Sequence, residues 1–441
     1  MTTPLTRRAI FAQAWPIMLG QTTVPLVGLV DTAVIGRTGD AAALAGVALG
    51  TVVINMIFWT FGFLRMGMTG MTAQAEGAGD ASEVEAMLLR GVVAGFLLGA
   101  ALFALQIVLI PLALETMAGG GALDAAAHGY VSARFLGAPA SLAVFAINGW
   151  LLGLGRTRSA LALQIVMNLV NIALDLLFVW HFHLGARGVG LGTACAEWIS
   201  LAVGLGIAGG GIDRRRLLSP ALFGGGALKR LFAVNADIMI RTIALLLLFL
   251  WFTNAGARLG ETALAANYVL LQFISVSAFV LDGFAFTAES RVGQAIGARS
   301  RPAMVRAIRL TGEFSLVAGI GFALMFFAAG PALIAFFATN PEVRAQAAAL
   351  LPFAAVVPAI GVPAWLLDGI FIGATRGKAL RNAAILATAL YIATDLLFRP
   401  FGESGIWWAF MASYFYRAAS LGAYLPGLIR TIEVAEPVNG P

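Results

Sequence analysis

The feature that most constrains this chain is a succession of twelve apolar stretches, most about twenty residues or longer, parted by short polar or glycine-rich breaks. They run near 9–36, 45–74, 86–112, 125–152, 159–180 and 189–210, then near 229–256, 264–294, 305–330, 344–373, 380–398 and 405–428. About 20 apolar residues of α-helix cross a bilayer core, and a helix satisfies its own backbone hydrogen bonds there. The sequence therefore predicts an all-α integral membrane protein with twelve transmembrane helices. Of its 441 residues 60% are apolar and only 11% charged, against about a quarter charged in soluble domains, which excludes an ordinary soluble enzyme. A single cysteine, Cys195, leaves no intrachain disulfide and no Cys-based zinc or iron–sulfur site. The three histidines, His128, His181 and His183, offer little to a metal, and no cofactor is expected.

An even number of spans returns both termini to one side, and cytoplasmic turns carry the excess of Lys and Arg. Basic residues gather at Arg7 and Arg8, at Arg156 and Arg158, and at Arg214, Arg215, Arg216, Lys229 and Arg230. The set continues with Arg299, Arg301, Arg306, Arg309, Arg376, Lys378 and Arg381, whereas the alternate turns hold Arg37, Arg187, Arg258, Arg344 and Arg399. Both termini are therefore expected in the cytoplasm, in a multi-pass protein of the plasma (inner) membrane. One turn departs from the pattern, where Glu76, Asp80, Glu83 and Glu85 outnumber Arg90. The net charge of +6 then marks topology and not nucleic-acid binding. The first segment lacks the small-residue cleavage site of a secretory signal and reads as a retained helix.

Self-comparison finds a repeat. QAEGA at 74–78 returns as QAIGA at 294–298, an offset of 220; at that offset Gly149, Gly153 and Arg156 return as Gly369, Gly373 and Arg376, and DLLF at 175–178 as DLLF at 395–398. Polar residues shared at one offset in separate segments are hard to obtain by chance. Two six-helix lobes of like orientation, related by a pseudo-twofold axis along the membrane normal, are expected to hold a substrate cavity between them. The N-terminal lobe is read as 1–208, a cytoplasmic linker as 209–228, the C-terminal lobe as 229–430 and a short tail as 431–441. One chain carrying both lobes needs no partner, so a monomer is expected.

A carboxylate at mid-membrane costs at least ~2.5–3.5 kcal/mol, so Asp31, Asp175, Glu197, Asp282, Glu289, Glu313, Asp368 and Asp395 each call for a reason. Glu289, Glu313 and Asp395 lie near span ends and can reach the interface. In the fifth span Gln164, Asn168, Asn171 and Asp175 follow i, i+4, i+7, i+11 and share one helix face. That face is either a hydrogen-bonded seam with another helix or the lining of a hydrated cavity. The terminal carboxylate favours the cavity, since a seam needs no charge. Asp31 follows Pro16 and Pro25, which free backbone carbonyls and form a helix hinge. Thr193 and Glu197, i and i+4 in the sixth span, can face the stripe, and Tyr130 adds a hydroxyl. At the offset of 220 the stripe becomes Ala384, Thr388, Tyr391 and Asp395, and the counterpart of Asp31 is Phe252 once a one-residue gap near 41 is allowed. Cation-coupling chemistry is therefore expected in the N-terminal lobe.

These residues, with PLVGLVDTAVIGRTG, FGFLRMGMTGMTAQAEGAGD, LDGFAFTAESRVGQAIGAR and LLDGIFIGATR, make the whole chain resemble the multidrug and toxic compound extrusion (MATE) transporters, specifically their DinF-like branch. The resemblance implies a two-lobe fold that exports small organic, often cationic, compounds in exchange for protons or sodium. It implies that Asp31, Asn171, Asp175, Thr193 and Tyr130 form the coupling site and that Pro16 is the bending proline. The seventh-span carboxylate of another branch has no match, since Asp237 lies at the cytoplasmic edge and Glu261 in the next turn, which counts against a C-lobe sodium site. Asp282 and Asp368 match acidic positions of the branch and are candidates for substrate recognition.

The expected mechanism is alternating access, with protonation of the Asp31 and Asp175 pair bending the first helix and shrinking the cavity. Sodium held by Asp31, Asn171, Asp175 and Thr193 is the alternative to the proton. Two other functions compete with export. A flippase for lipid-linked precursors, of the same wider superfamily, needs a more basic cavity than Arg65, Arg241 and Arg291 promise. An intramembrane enzyme would need a catalytic constellation, and the sequence has no HExxH or GxSxG.

Overall fold

Long apolar runs dictate long helices. The computed structural model describes residues 5–117, 121–209 and 225–432, and every regular element among them is helical. The first half contributes α1 (Arg7–Gly36), α2 (Ala41–Thr60), α3 (Phe63–Gly77), α4 (Ala81–Met117), α5 (Ala122–Phe135), α6 (Ala138–Gly153), α7 (Thr157–Asp175) and α8 (Gly185–Gly209). The second contributes α9 (Gly225–Ala257), α10 (Glu261–Gly297), α11 (Arg301–Phe337), α12 (Pro341–Ile360), α13 (Val362–Gly373), α14 (Gly377–Phe398) and α15 (Gly402–Arg430). Among the described residues ten helical runs are long and apolar enough to cross a membrane, and α5 with α6, bent by 52° at a short break, makes an eleventh. The last of the ten, Gly377–Arg430, is a hairpin. A turn at Arg399–Phe401 divides it, and Thr394 meets Tyr416 across the hairpin at 2.9 Å. Divided there, the spans number twelve, as the sequence predicts. Most of the 209–228 linker, with Arg214, Arg215 and Arg216, and residues 433–441 of the tail lie outside the described residues.

Surface and turns follow the same logic. Ile107 and Phe336 are each 80% exposed, apolar side chains suited to lipid tails. Asp40 Oδ1 accepts the Ala43 N–H at 2.9 Å to start α2, and Asn340 Oδ1 accepts the Glu342 N–H at 2.8 Å to start α12. Asp80 starts α4 by accepting from the Ser82 hydroxyl and the Glu83 N–H, which hold its carboxyl below the usual range.

The repeat is written into the backbone. Gly79 and Gly155 both stand at φ +71°, and their counterparts Arg299 and Thr375 at +51° and +52°. An added Cβ on Gly149 would lie 2.3 Å from the Arg65 carbonyl oxygen; on Gly369 it would lie 2.5 Å from that of Ala285, 220 residues beyond Arg65. Repeat-related glycines thus close on repeat-related carbonyls.

The chain forms two compact units: Thr22–Thr72 with Asp80–Phe232, and Met1–Gln21 with Ala73–Gly79 and Ala233–Pro441. The boundary within α1 falls between Pro16 and Pro25. In the first unit, Gly91, Gly95 and Gly99 run along α4, and an added Cβ on Gly95 or Gly99 would come within 2.5 Å of an α6 backbone oxygen, the close approach small residues permit between membrane helices. In the second, Phe252, Phe273, Phe326, Trp407 and Phe410 build an aromatic core, with Trp407 Nε1 donating to Asn267 Oδ1 at 2.8 Å. The same unit holds both copies of the glutamine–glycine motif. A Cβ on Gly77 would meet the Gln294 carbonyl oxygen at 2.0 Å, and one on Gly297 the Gln74 carbonyl oxygen, also at 2.0 Å. The contact is reciprocal, so a local twofold relation links the two segments.

Candidate functional site

The polar face of α7 turns inward: Asn168, Asn171 and Asp175 are buried and Gln164 is half-buried. Its upper part closes on itself, Gln164 Nε2 donating to Asn168 Oδ1 at 2.8 Å. Its lower part reaches α8. Asn171 Nδ2 donates to Thr193 Oγ1 at 3.0 Å and lies 3.3 Å from Asp175 Oδ2, while the Thr193 hydroxyl donates to the Val189 carbonyl at 3.1 Å. Gly192 makes room for the carboxylate, since a Cβ there would stand 2.0 Å from Asp175 Oδ1. Directly after Asp175 the helix widens into a π-helical turn, Leu176–His181, with the Phe182 N–H bonded to the Leu177 carbonyl at 3.1 Å. Such turns concentrate at functional sites.

Asp31, from the second half of α1, sets its carboxyl beside that of Asp175. The structure therefore gathers Asp31, Asn171, Asp175 and Thr193 in one place, all four buried. Tyr130 of α5 is buried too, its hydroxyl 3.2 Å from Thr51 Oγ1. One helical turn along α5, Arg134 Nη1 pairs with Glu197 Oε1 of α8 at 2.9 Å, both side chains at most 10% exposed. Sequence reasoning passed over Arg134, although its i+4 spacing from Tyr130 was there to be read. Three oxygens of the cluster, Asp31 Oδ1, Asp175 Oδ1 and Asn171 Oδ1, are buried without a hydrogen-bond partner among the described residues. Ionised carboxylates only accept, so the set is short of donors and chemically suited to a proton or a small cation.

The remaining intramembrane carboxylates are occupied differently. Asp395, counterpart of Asp175, accepts from Trp251 Nε1 at 2.9 Å and pairs with Arg258 Nη2 at 3.0 Å. Phe252, counterpart of Asp31, packs its ring 4.7 Å from that of Phe410. Asp368 is buried on α13 between Arg241 of α9 and Arg417 of α15, both bonded to its Oδ2. Glu313 pairs with Arg7 and Arg309, each at 2.9 Å. Asp282 lies half-buried on α10, and Glu289 is buried on the same helix.

An all-helical bilayer-spanning chain with an internal six-span repeat and an inward-facing ionisable cluster has the build of a secondary transporter. The MatE family model matches it twice, over residues 16–177 and 238–397, one match to each half of the repeat. The chain belongs to the MatE family of multidrug and toxic compound extrusion transporters. It is 35% identical to the DNA damage-inducible protein F of Escherichia coli (strain K12) over 424 residues, 94% of this chain and 91% of that one. It is 30% identical to the probable multidrug resistance protein NorM of Deinococcus radiodurans, covering 84% of this chain and 82% of the other. Its fold superposes on a MOP superfamily transporter from Pyrococcus furiosus with a TM-score of 0.88 at 17% identity, covering 97% of each chain.

Proposed function

We propose that this transporter exports small organic, often cationic, compounds against an inward flow of protons, and that Asp31 and Asp175 form the coupling site. The observation that carries the reading is the contact between these two carboxyls, in a buried cluster whose free oxygens lack donors. Two carboxyls that share one buried site titrate as a coupled unit. When the pair is deprotonated, three carboxylates face one guanidinium and the site attracts a cation. Proton uptake from the outer face removes that attraction, and α1 bends between Pro16 and Pro25 to release substrate outward. Exchange of one proton for one monovalent cation is electroneutral, so the membrane potential, ~2.3 kcal/mol per charge per 100 mV, adds nothing and the pH gradient alone drives export.

Sodium is the second reading, favoured by the partnerless Asn171 Oδ1 beside the two carboxylates and Thr193. Charge asymmetry supports cytoplasmic termini: the helix ends of the C-terminal unit that carry Arg299, Arg301, Arg376, Lys378 and Arg381 oppose those that carry Arg258, Arg344 and Arg399. The test is dye export in everted vesicles by Asp31→Asn and Asp175→Asn, run separately with proton and sodium gradients. Each variant, at normal expression, is expected to lose most gradient-driven export. Export at the wild-type rate by both would overturn the proposal, and dependence on the sodium gradient alone would select the second reading.

A further inference from the structure

The C-terminal unit carries a charge pattern opposite to that of the acidic cluster. At the repeat offset Glu197 becomes Arg417, and Arg417 shares a single carboxylate, Asp368, with Arg241. Both guanidinium groups are about 10% exposed, and Arg241 Nε is buried without a hydrogen-bond partner. Arginine does not deprotonate in proteins, so the trio holds one positive charge that no carboxylate bonded to it among the described residues balances. Buried charges are otherwise paired.

The same three helices, with the start of α14, wall a cavity of about 550 Å³ that the trio itself does not line. Asp237 on α9, Phe371 on α13 and Tyr424 on α15 line it, and Arg241, Asp368 and Arg417 lie on the same helix faces at i+4, i−3 and i−7. At 1.5 Å per residue that places them roughly 5–10 Å deeper along the helices. The lining mixes apolar groups with Arg376 and Lys378, both exposed at the start of α14. Among the described residues the one lining carboxylate, Asp237, is already paired with Arg381 at 2.6 Å. The N-terminus of α14, which no side chain caps, opens onto the same space and adds its partial positive charge. The size suits a drug-sized ligand, and basic pockets between membrane helices suit lipid headgroups.

We propose that this cavity binds an amphiphilic organic anion, a carboxylate or phosphate head on an apolar body, with Arg376 and Lys378 holding the head and the excess charge of the Arg241–Asp368–Arg417 trio drawing it inward. The site belongs wholly to the C-terminal unit and stands independently of the coupling reading. Both a membrane phospholipid and a free amphiphile carry this chemistry.

The test uses the full chain, delipidated in dodecyl maltoside and titrated calorimetrically with dodecyl phosphate, laurate, inorganic phosphate and dodecyltrimethylammonium. One equivalent of dodecyl phosphate or laurate is expected to bind saturably. Arg376→Gln/Lys378→Gln, two exposed positions, should weaken this binding at least tenfold with the melting temperature unchanged. Ala379→Trp, which fills the cavity and leaves every charge in place, should weaken it equally. Native mass spectrometry distinguishes the sources: one retained phosphatidylglycerol, with phosphatidylcholine not retained, assigns the site to lipid, whereas binding of laurate with no retained phospholipid assigns it to a soluble amphiphile. Equal binding by both variants and wild type, equal affinity for inorganic phosphate, or equal affinity for the cationic amphiphile would each overturn the proposal.

Discussion

At the scale of single residues, the candidate site depends on a missing side chain as much as on those present. Gly192 leaves the space that Asp175 Oδ1 occupies; a methyl group there would displace that movable side-chain end and press the Asp175 backbone nitrogen, 3.1 Å away, by only a few tenths of an ångström. Gly192→Ala should therefore fold, with a melting temperature within a few degrees of wild type, yet lose coupled export by on the order of tenfold, because the carboxylate is pushed out of register. Vesicle export beside a thermal melt separates the two effects; unchanged export would mean that carboxylate position is not limiting. The polar stripe of α7 and Asp31 were legible in the sequence because a buried carboxylate on a helix face has few innocent explanations. The Arg134–Glu197 and Arg258–Asp395 pairs were not. Their partners are 63 and 137 residues apart, and periodicity within one helix says nothing about which other helix lies opposite.

At the scale of elements, repeat-related turns share a conformation but not a residue type. Gly79 and Arg299 both adopt positive φ, where a residue with a Cβ bears a strain of roughly 1–2 kcal/mol and glycine bears none. Arg299→Gly should leave the melting temperature unchanged or raise it, against the usual penalty for added chain entropy, while Gly79→Ala should lower it by the equivalent of about 1 kcal/mol. Equal losses in the two variants would show that the turns are not equivalent. The spans themselves were legible, most to within five residues at either end, because polar and glycine-rich breaks bound the apolar runs; α11, expected to end near 330, runs on to Phe337. The π turn after Asp175 was not, since one extra residue per turn leaves no compositional mark.

At the scale of the molecule, the two halves keep one backbone plan and have divided the chemistry. Where the N-terminal half sets Asp175 beside a second carboxyl, the C-terminal half sets Asp395 beside Arg258 and Trp251, so its cation is supplied by the chain itself. Asp395→Asn should consequently keep ion-coupled export within about twofold of wild type while lowering the melting temperature, the reverse of Asp175→Asn; loss of coupling with normal stability would assign the second half an ion of its own. This asymmetry was half visible in the sequence, which showed Phe252 in place of an aspartate but not the arginine closing over its neighbour. The reciprocal seating of Gly77 on Gln294 and Gly297 on Gln74 bears on descent. A segment that receives its own duplicate so closely would equally have received an identical copy from a sister polypeptide, so a half-length ancestor could have paired with itself at this point before gene fusion joined the copies. A side chain in place of either glycine would strike the backbone of the other copy.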